Sequence, residues 1–458
     1  MAALREALSA SMARIGAPAF WRVYRIDRRM RGKLTPAGWF VAALTLASAV
    51  FGFNTTESLI YQVFGLGLGL LLAAALASWR LGLRATVVRT LPRVATAGVE
   101  FEYSLTVRNT GTRAVDALHV EEVLAVDRPS AAEFVAFKVR EDRSRNFFDR
   151  LVGYPRWVSL MRMKVGARPQ AAALAGLAPG EARQVPMRCL PLRRGELVFD
   201  AVSIGRLEPL GLMRALRRIA LRDSLVVMPK THPVSAPRLR GARRLQPGGV
   251  EFAGRVGDAE EFMSLRDYRS GDTPRRIHWK AWARTGRLVV KEYQDEFFVR
   301  HALLLDTFPS GDATAFEAAV SLAASMVMMP RSSESLLDLL FVEKRAYTLT
   351  QGRGLGTPTE LLRVLATVQP SKGAFRDLAE AALLNAARIS GAICVLLAWD
   401  EPRRQLVASL RAMGIPLRVW IVRDEGAGEA LDPGPMASDA RNFRVVDAAS
   451  LAQELSKP

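Results

Sequence analysis

Two uncharged apolar stretches, residues 37–53 and 59–79, stand back to back near the start of the chain, joined only by Asn54-Thr55-Thr56-Glu57-Ser58. A bilayer crossing needs about 20 apolar residues at a rise of about 1.5 Å each. The second stretch meets that length, and the first is at the short end of the range. So short a link forces the two predicted helices to be antiparallel neighbours. Arg22, Arg25, Arg28, Arg29, Arg31 and Lys33 precede the pair, and Arg80, Arg84, Arg89 and Arg93 follow it. The link carries only Glu57. Loops rich in Lys and Arg stay on the cytoplasmic side, so the pattern predicts an inner-membrane hairpin with both termini and all soluble parts in the cytosol. Trp39, Tyr61 and Trp79 fall where interfacial aromatics belong. Gly65, Gly69, Ala73 and Ala77 recur every four residues and predict a small-residue face for Ala43 and Ala47, or for a second copy of the chain. The late start and the doubled run do not fit a cleaved signal peptide. A buried soluble helical hairpin is the remaining alternative.

The formal net charge of +19 raises three partner classes: nucleic acid, an anionic membrane, or an acidic protein. With 50% hydrophobic residues, the chain cannot be a disordered basic tail; with 24% charged, it is not a transporter packed wholly in lipid. At 458 residues it has room for several cores and needs no disulfide or metal staple. Cys189 and Cys394 are far apart and form no C-x-x-C pattern, which fits a reducing compartment.

Beyond the hairpin the pattern becomes that of strands. Residues 101–107 alternate with period two, Asn109-Thr110-Gly111 is a turn signal, and 117–120, 184–190 and 196–200 resume strand character. Short strands at this spacing predict an antiparallel sandwich. Residues 128–178 are poorly patterned, and Arg140–Arg145 reads as a solvated charge run. His119, alone among apolar residues, reads as a satisfied core or edge histidine.

The densest stretch runs from Gly257-Asp258-Ala259-Glu260 through Glu261, Phe262, Leu265, Arg266, Tyr268, Gly271, Asp272, Arg276, His278 and Trp279 to Arg284. Ser270-Gly271 predicts a turn. Asp272 as N-cap, Pro274 in the first turn and Gly286 as a stop predict a helix over 273–285, with a strand over 287–293 to follow. Arginines alternate with Glu261, Asp267 and Asp272, so the stretch reads either as an ion-pair lattice or as a surface for carboxylate or phosphate. His278 has no nearby Ser or Cys and reads as a packing residue.

This run, G-D-A-E-E-F-x-x-L-R-D-Y-R-x-G-D-x-x-R-R-I-H-W-K-A-x-A-R-T-G-x-L-x-V-K-E-Y, resembles the core signature of the DUF58 family. Arg193-Arg194-Gly195 resembles the family's upstream R-R-G element, and Glu208-Pro209-Leu210-Gly211-Leu212 its D-P-x-G-L element, with Glu208 in place of Asp. The resemblance implies a bacterial membrane protein that partners a MoxR-type AAA+ ATPase in a chaperone-like assembly role.

After the signature, apolar runs at 301–306, 336–342, 392–398 and 416–422 alternate with helical patterns at 314–329, 357–367, 373–389 and 402–413. That order predicts a doubly wound, mostly parallel α/β sheet with ligands at strand carboxyl ends. It resembles a von Willebrand factor A-like domain, in which D-x-S-x-S, a Thr and a distant Asp bind a divalent cation. Asp306 and Ser310 match that element, Phe308 replaces its central Ser, Asp400 could supply the distant carboxylate, and Thr357 and Thr359 are the only candidate threonines. The resemblance thus implies a degenerate Mg²⁺ site on Asp306, Ser310 and Asp400.

The expected architecture is multi-domain: a basic N-terminal segment (1–33), a transmembrane hairpin (34–80), a β-sandwich-like domain (81–230), the signature region (231–300) and the α/β domain (301–458). No phosphate-cradling P-loop, H-E-x-x-H or G-x-S-x-G motif occurs, so no catalytic residue is assigned. The glycines at 352, 354 and 356 lack the P-loop lysine and read as a loop. The leading expectation is a membrane-anchored, non-enzymatic interaction scaffold that binds no nucleic acid. A charge-driven binder of anionic lipid or nucleic acid is the second reading, and a hydrolase using Asp306 and Asp400 the third.

Overall fold

The computed structural model describes residues 18–30, 32–51, 59–137, 153–234, 261–272, 274–294, 299–309, 313–329, 335–352, 355–424 and 431–456. The link at 54–58, the charge run Arg140–Arg145, Gly257–Glu260, Thr273 and Ser310 therefore lie outside the described residues. The chain forms two units, Met1–Met228 and Pro229–Pro458.

Helices α1 (Pro36–Phe51) and α2 (Leu59–Arg80) pack on each other. At 22 residues, α2 is long and apolar enough to cross a membrane. With 16 residues, α1 rises about 24 Å, short of the roughly 30 Å hydrocarbon core. Leu66, Leu72, Leu76 and Trp79 are exposed, so α2 turns a broad apolar face outward rather than into a protein core. The seam between the helices differs from the expected one. Gly67 and Ala74 are buried, and a Cβ on Gly67 would lie 2.2 Å from Thr45 Oγ1. Gly65, Gly69, Ala73, Ala43 and Ala47 are all exposed. The seam follows the hydroxyls instead: Thr45 and Ser48 are buried, and Thr45 donates to the Val41 carbonyl at 2.7 Å. Burying these polar side chains keeps them off the apolar outer face, which outweighs the close approach that alanines allow.

The first unit continues with β1 (Ala85–Thr90), β2 (Ala95–Thr96), β3 (Phe101–Asn109) and β4 (Leu118–Leu124). Short helices α3 (Ala131–Ala136) and α4 (Tyr154–Val165) follow. Then come β5 (Ala167–Pro169), β6 (Ala172–Leu174), β7 (Ala182–Pro191), β8 (Gly195–Leu207) and β9 (Arg214–Met228). They form two sheets, ordered β1-β3-β7-β5 and β2-β9-β8-β4-β6. Leu105, Val107, Val185 and Met187 from one sheet share a core with Val120, Phe199, Ile204 and Val227 from the other. The strict alternation of buried residues along β4 is the period-two pattern realised. His119 lies half-buried on that strand; burial, then Arg214, holds its imidazole below the ordinary range. The poorly patterned interval supplies α3 and α4, whose Phe134 and Trp157 form an aromatic cluster with Phe20 from the basic N-terminal segment, itself helical over 18–30.

A buried guanidinium ties the two sheets together. Arg89 on β1 reaches across the core to Glu122 on β4, with Nε and Nη2 donating at 3.0 and 2.8 Å. Its Nη1 donates to Asp223 on β9 at 2.5 Å and to the Leu221 carbonyl at 3.0 Å. The side chains of Arg89 and Glu122 are fully buried, and the guanidinium lies 4.8 Å from the Phe199 ring centroid.

In the second unit, β10 (Glu261–Asp267), α5 (Trp279–Thr285) and β11 (Val289–Gln294) make an antiparallel ribbon with a helix in its connection. The larger sheet comprises β12 (Val299–Leu305), β13 (Ser335–Val342), β14 (Ala346–Gln351), β15 (Gly391–Leu396), β16 (Leu417–Arg423) and β17 (Phe443–Asp447). Its order is β14-β13-β12-β15-β16-β17, parallel except for the β13–β14 hairpin. Its helices are α6 (Ala313–Val327), α7 (Pro358–Thr367), α8 (Phe375–Asn385), α9 (Glu401–Ala412) and α10 (Leu451–Ser456). Leu304, Cys394 and Val419 face Leu378 on α8 and Leu406 and Leu410 on α9. Helix α6 packs on β12, β15 and β16 and against α7. The unbroken burial along β15 is that of a strand covered on both sides. Both cysteines are buried, each in its own unit, and burial pushes each thiol up to about 12.

Replacing Arg89 by Leu leaves Glu122 buried without a counter-charge. Thermal unfolding of the detergent-solubilised chain should show a loss of about 3–5 kcal/mol, most of it recovered when Glu122 is also replaced by Leu.

Candidate functional site

The signature stretch divides into a part that folds and a part that faces outward. At its centre is the Asp272 carboxylate, which accepts from Arg266 Nη1 and Nη2 at 2.8 and 2.7 Å and from the Arg269 backbone N–H at 2.8 Å. Asp272 is therefore the hub of the Ser270-Gly271 turn and not the cap of the helix. Gly271 has φ 106°, a value a side chain would strain. The helix starts later than expected. A single 3₁₀ turn, Pro274–Arg276, comes first, and His278 caps α5 with Nδ1 accepting from the Ala281 N–H at 2.9 Å. Ile277 and Val290 are buried and bridge the turn to β11, which pulls the chain out of helical geometry before His278. Gly286 ends α5 in the left-handed conformation, as its sequence position predicts.

No residue of α5 is buried. Trp279 and Trp282 are 56% and 43% exposed, and their rings meet edge to face at 5.9 Å. Leu265, Tyr268 and Leu288 are exposed nearby in sequence. Arg275, Lys280, Arg284 and Arg287 are exposed and make no ion pair with any described residue. Of the expected ion-pair lattice, the described side chains show the Arg266–Asp272 pair. The backbones of Glu261, Phe262 and Arg276 belong to the ribbon and the turn, but their side chains lie outside what is described.

The two upstream elements sit at opposite ends of β8, about 40 Å apart at roughly 3.3 Å per residue. In Arg193-Arg194-Gly195, the Arg193 guanidinium donates to the Lys164 carbonyl at the end of α4 at 3.0 Å. It lies so close to Gly166 that a Cβ there would be 2.7 Å from Nε. Arg194 lines a small polar cleft with Lys164, Arg222 and Asp127. Gly195 opens β8 at φ 117°.

At the other end, the buried Glu208 carboxylate gathers the N–H groups of Leu210, Leu212 and Met213, the last two at 2.6 and 3.0 Å. This coils Pro209-Leu210-Gly211 into a tight turn, with Gly211 at φ 71°. The turn clasps the foot of α1. Thr35 donates its N–H to the Leu212 carbonyl at 3.0 Å and its hydroxyl to the Gly211 carbonyl at 2.7 Å. A Cβ on Gly38 would lie 2.0 Å from the Leu212 oxygen, so only glycine allows this approach. The element resembling D-P-x-G-L is therefore the joint between sandwich and hairpin.

The strand ends of the second unit hold the residues expected at a metal. Asp306 follows β12 and is fully buried. Its Oδ1 accepts from the Phe308 N–H at 2.9 Å, and its Oδ2 from the Leu397 N–H at 2.9 Å and Arg403 Nε at 2.7 Å. Asp400 caps α9 through the Arg403 N–H at 3.3 Å and accepts from Arg403 Nη1 at 2.6 Å. Burial works against the Arg403 charge, but its bonds to Asp306 and Asp400 outweigh it and hold its pKa above the ordinary value. Burial raises the Asp306 carboxyl; yet every bonded neighbour of its two oxygens is an N–H donor, so the geometry serves the ionised form. Thr357 is the exposed cap of α7, bonded to Glu360, and Thr359 is exposed, so neither threonine joins the group. Among the described residues no cluster of three His, Cys, Asp or Glu side chains could hold a metal. Arg403 was the residue missed; its only sequence signal is its place three residues after Asp400, at the start of a helix.

Residues 264–414 match the family described as "Protein of unknown function DUF58". The chain is similar to the uncharacterised protein YeaD of Bacillus subtilis (strain 168), 28% identical over 163 residues, which is 35% of this chain and 39% of that protein. The match thus spans well under half of that relative. Among solved structures, the chain is similar to proximal thread matrix protein 1 of the mussel byssus with a zinc-occupied MIDAS motif: 12% identity, 34% of this chain, 46% of that one, TM-score 0.26. It is also similar to the CARDB domain of a Pyrococcus furiosus protein in complex with di-metal ions: 12% identity, 32% and 93% coverage, TM-score 0.17. Scores this low identify neither fold nor activity.

Two measurements check these roles. Glu208→Ala orphans backbone donors at the clasp and should cost about 2–3 kcal/mol in thermal unfolding of the detergent-solubilised chain. Arg266, then the Arg269 N–H, holds the Asp272 carboxyl at about 2. The stabilisation this reflects is full above the ordinary carboxylate range near pH ~4 and is lost as pH falls through about 2. NMR titration should place Asp272 there, and Arg266→Ala should raise it part of the way towards the ordinary carboxylate value of about 4, since the Arg269 N–H bond remains.

Proposed function

We propose that this chain is a membrane-anchored interaction protein whose signature ribbon docks an acidic partner protein. The observation that carries this reading is the exposed Trp279–Trp282 pair beside Arg275, Lys280, Arg284 and Arg287, four cations without acidic partners among the described residues. Exposed tryptophan flanked by arginine is the composition of protein-binding hot spots. Folding gives no reason to leave two indoles in water. The cations would select an acidic surface and speed encounter with it.

On the resemblance to DUF58, the proposed partner is a MoxR-type AAA+ ATPase, with this chain supplying the anchor and the docking face and the ATPase supplying nucleotide chemistry. On the same resemblance, the six-stranded sheet is a von Willebrand factor A-like domain that serves as a platform. The basic flanks of the hairpin favour the cytoplasmic side for both units. The carboxylates a hydrolase would need, Asp306 and Asp400, are each engaged by Arg403, which supports a non-enzymatic role. Exposed indoles among cations also suit an anionic membrane surface, and that is the competing outcome of the test.

Affinity purification of the full-length protein from its native membrane, with ATP and Mg²⁺ present, should recover a MoxR-type ATPase. Trp279→Ala with Trp282→Ala should cut the recovery by roughly tenfold or more, as the loss of about 2 kcal/mol at a hot spot requires. Failure to recover any such ATPase overturns the reading. So does recovery unchanged by the double substitution, or loss of binding to phosphatidylglycerol vesicles in its place.

A further inference from the structure

Mg²⁺ requires near-octahedral oxygen ligation at about 2.0–2.1 Å. Asp306 and Asp400 could contribute carboxylate oxygens to such a shell, but another cation already stands between them. The Arg403 side chain is 4% exposed, and its three guanidinium nitrogens each take a different acceptor. Nε donates to Asp306 Oδ2 at 2.7 Å, Nη1 to Asp400 Oδ2 at 2.6 Å and Nη2 to the Phe308 carbonyl at 3.0 Å. The guanidinium also lies 4.5 Å from the Phe375 ring centroid, and Phe375 meets Phe308 edge to face at 6.2 Å.

This arrangement gives Phe308 a purpose. At the position where the resemblance expects a serine ligand, an aromatic ring adds to the apolar floor under the guanidinium, and its carbonyl takes the third nitrogen. The remaining capacity of Asp306 goes to the N–H groups of Phe308 and Leu397. A divalent ion that took Asp306 Oδ2 and Asp400 Oδ2 would have to displace a buried guanidinium whose three nitrogens are each bonded. The orphaned Arg403 would then remain buried without a partner, which is far more costly than the pair it left.

We infer that Arg403 is a built-in cation that closes this strand-end site to divalent metal, so that the second unit holds its fold without Mg²⁺. This holds whatever partner the exposed tryptophans take. It further assigns Phe308 and Phe375 as the apolar seat that suits the site to a planar, weakly hydrated cation and not to a hydrated ion.

The test uses the full-length chain in detergent micelles with Mn²⁺ as the probe. The electron paramagnetic resonance signal of free Mn²⁺ should be undiminished by the wild-type protein, and its melting temperature should be the same in MgCl₂ and in EDTA. Arg403→Ala should melt lower by roughly 10 °C in EDTA. Added Mn²⁺ should restore part of that loss, since Asp306 and Asp400 are then free to take a cation. Wild-type binding of Mn²⁺ that disappears in Asp306→Asn would overturn the inference, as would an Arg403→Ala chain as stable in EDTA as the wild type. If Arg403→Ala does not fold, the wild-type titration decides alone: an unchanged signal supports the built-in cation, and a diminished one that Asp306→Asn restores refutes it.

Discussion

Each unit of this protein holds a buried guanidinium bonded to two carboxylates, at least one of them far away in sequence. A charge taken out of water is tolerated when it is paired and hydrogen-bonded. Arg89 meets that condition with Glu122, Asp223 and the Leu221 carbonyl; Arg403 meets it with Asp306, Asp400 and the Phe308 carbonyl. In both places an aromatic ring lies beside the cation, Phe199 in the first unit and Phe375 in the second. The arrangement is directional. Other packings of the same sheets would strand one of these charges, so each pair selects a single register for the elements it joins. Two of the arginines that first suggest a polyanion partner are therefore internal to the fold, but each stands with two carboxylates, so the net charge of +19 lies elsewhere.

The signature stretches divide by the same logic into those that build and those that present. Arg193 secures the end of α4, and Glu208 shapes the turn that grips Thr35 and Gly38 at the foot of α1. These are joints, and the clasp fixes the sandwich to the apolar hairpin. Asp272 and Arg266 likewise shape a turn. The helix that follows does the opposite, with none of its residues buried and both indoles exposed. A segment whose base is so firmly bonded and whose tip is so open is suited to rigid presentation of a binding face, which lowers the ordering cost of docking.

Much of the fold was readable from pattern. Period two marked β3, β4 and β7, and alternating apolar runs with helical stretches marked the six-stranded sheet. Gly286 was readable as a helix stop because a left-handed cap is a property of one residue. The errors share one cause: they concern groups with two possible partners. Asp272 looked like a helix cap, but the Arg266 fork and the Arg269 N–H compete for the same oxygens and win. The four-residue stripe of Gly65, Gly69 and Ala73 looked like a seam, but Thr45 and Ser48 needed burial more than the alanines did. A different cause hid strand β9: adjacent Arg217 and Arg218 put Leu216 and Ile219 three positions apart and break the period-two pattern.

Local pattern was enough to assign the apolar helices, most strands and the Gly286 helix stop, because these depend on residues within a turn or two of one another. Where the buried charges go was decided only by the folded chain. Arg89 lies 33 residues from Glu122 and 134 from Asp223, and Arg403 lies 97 from Asp306. No local rule links positions so far apart. They meet because strands from separate parts of the chain become neighbours, and it is that neighbourhood which turns a metal-like aspartate into the partner of an arginine.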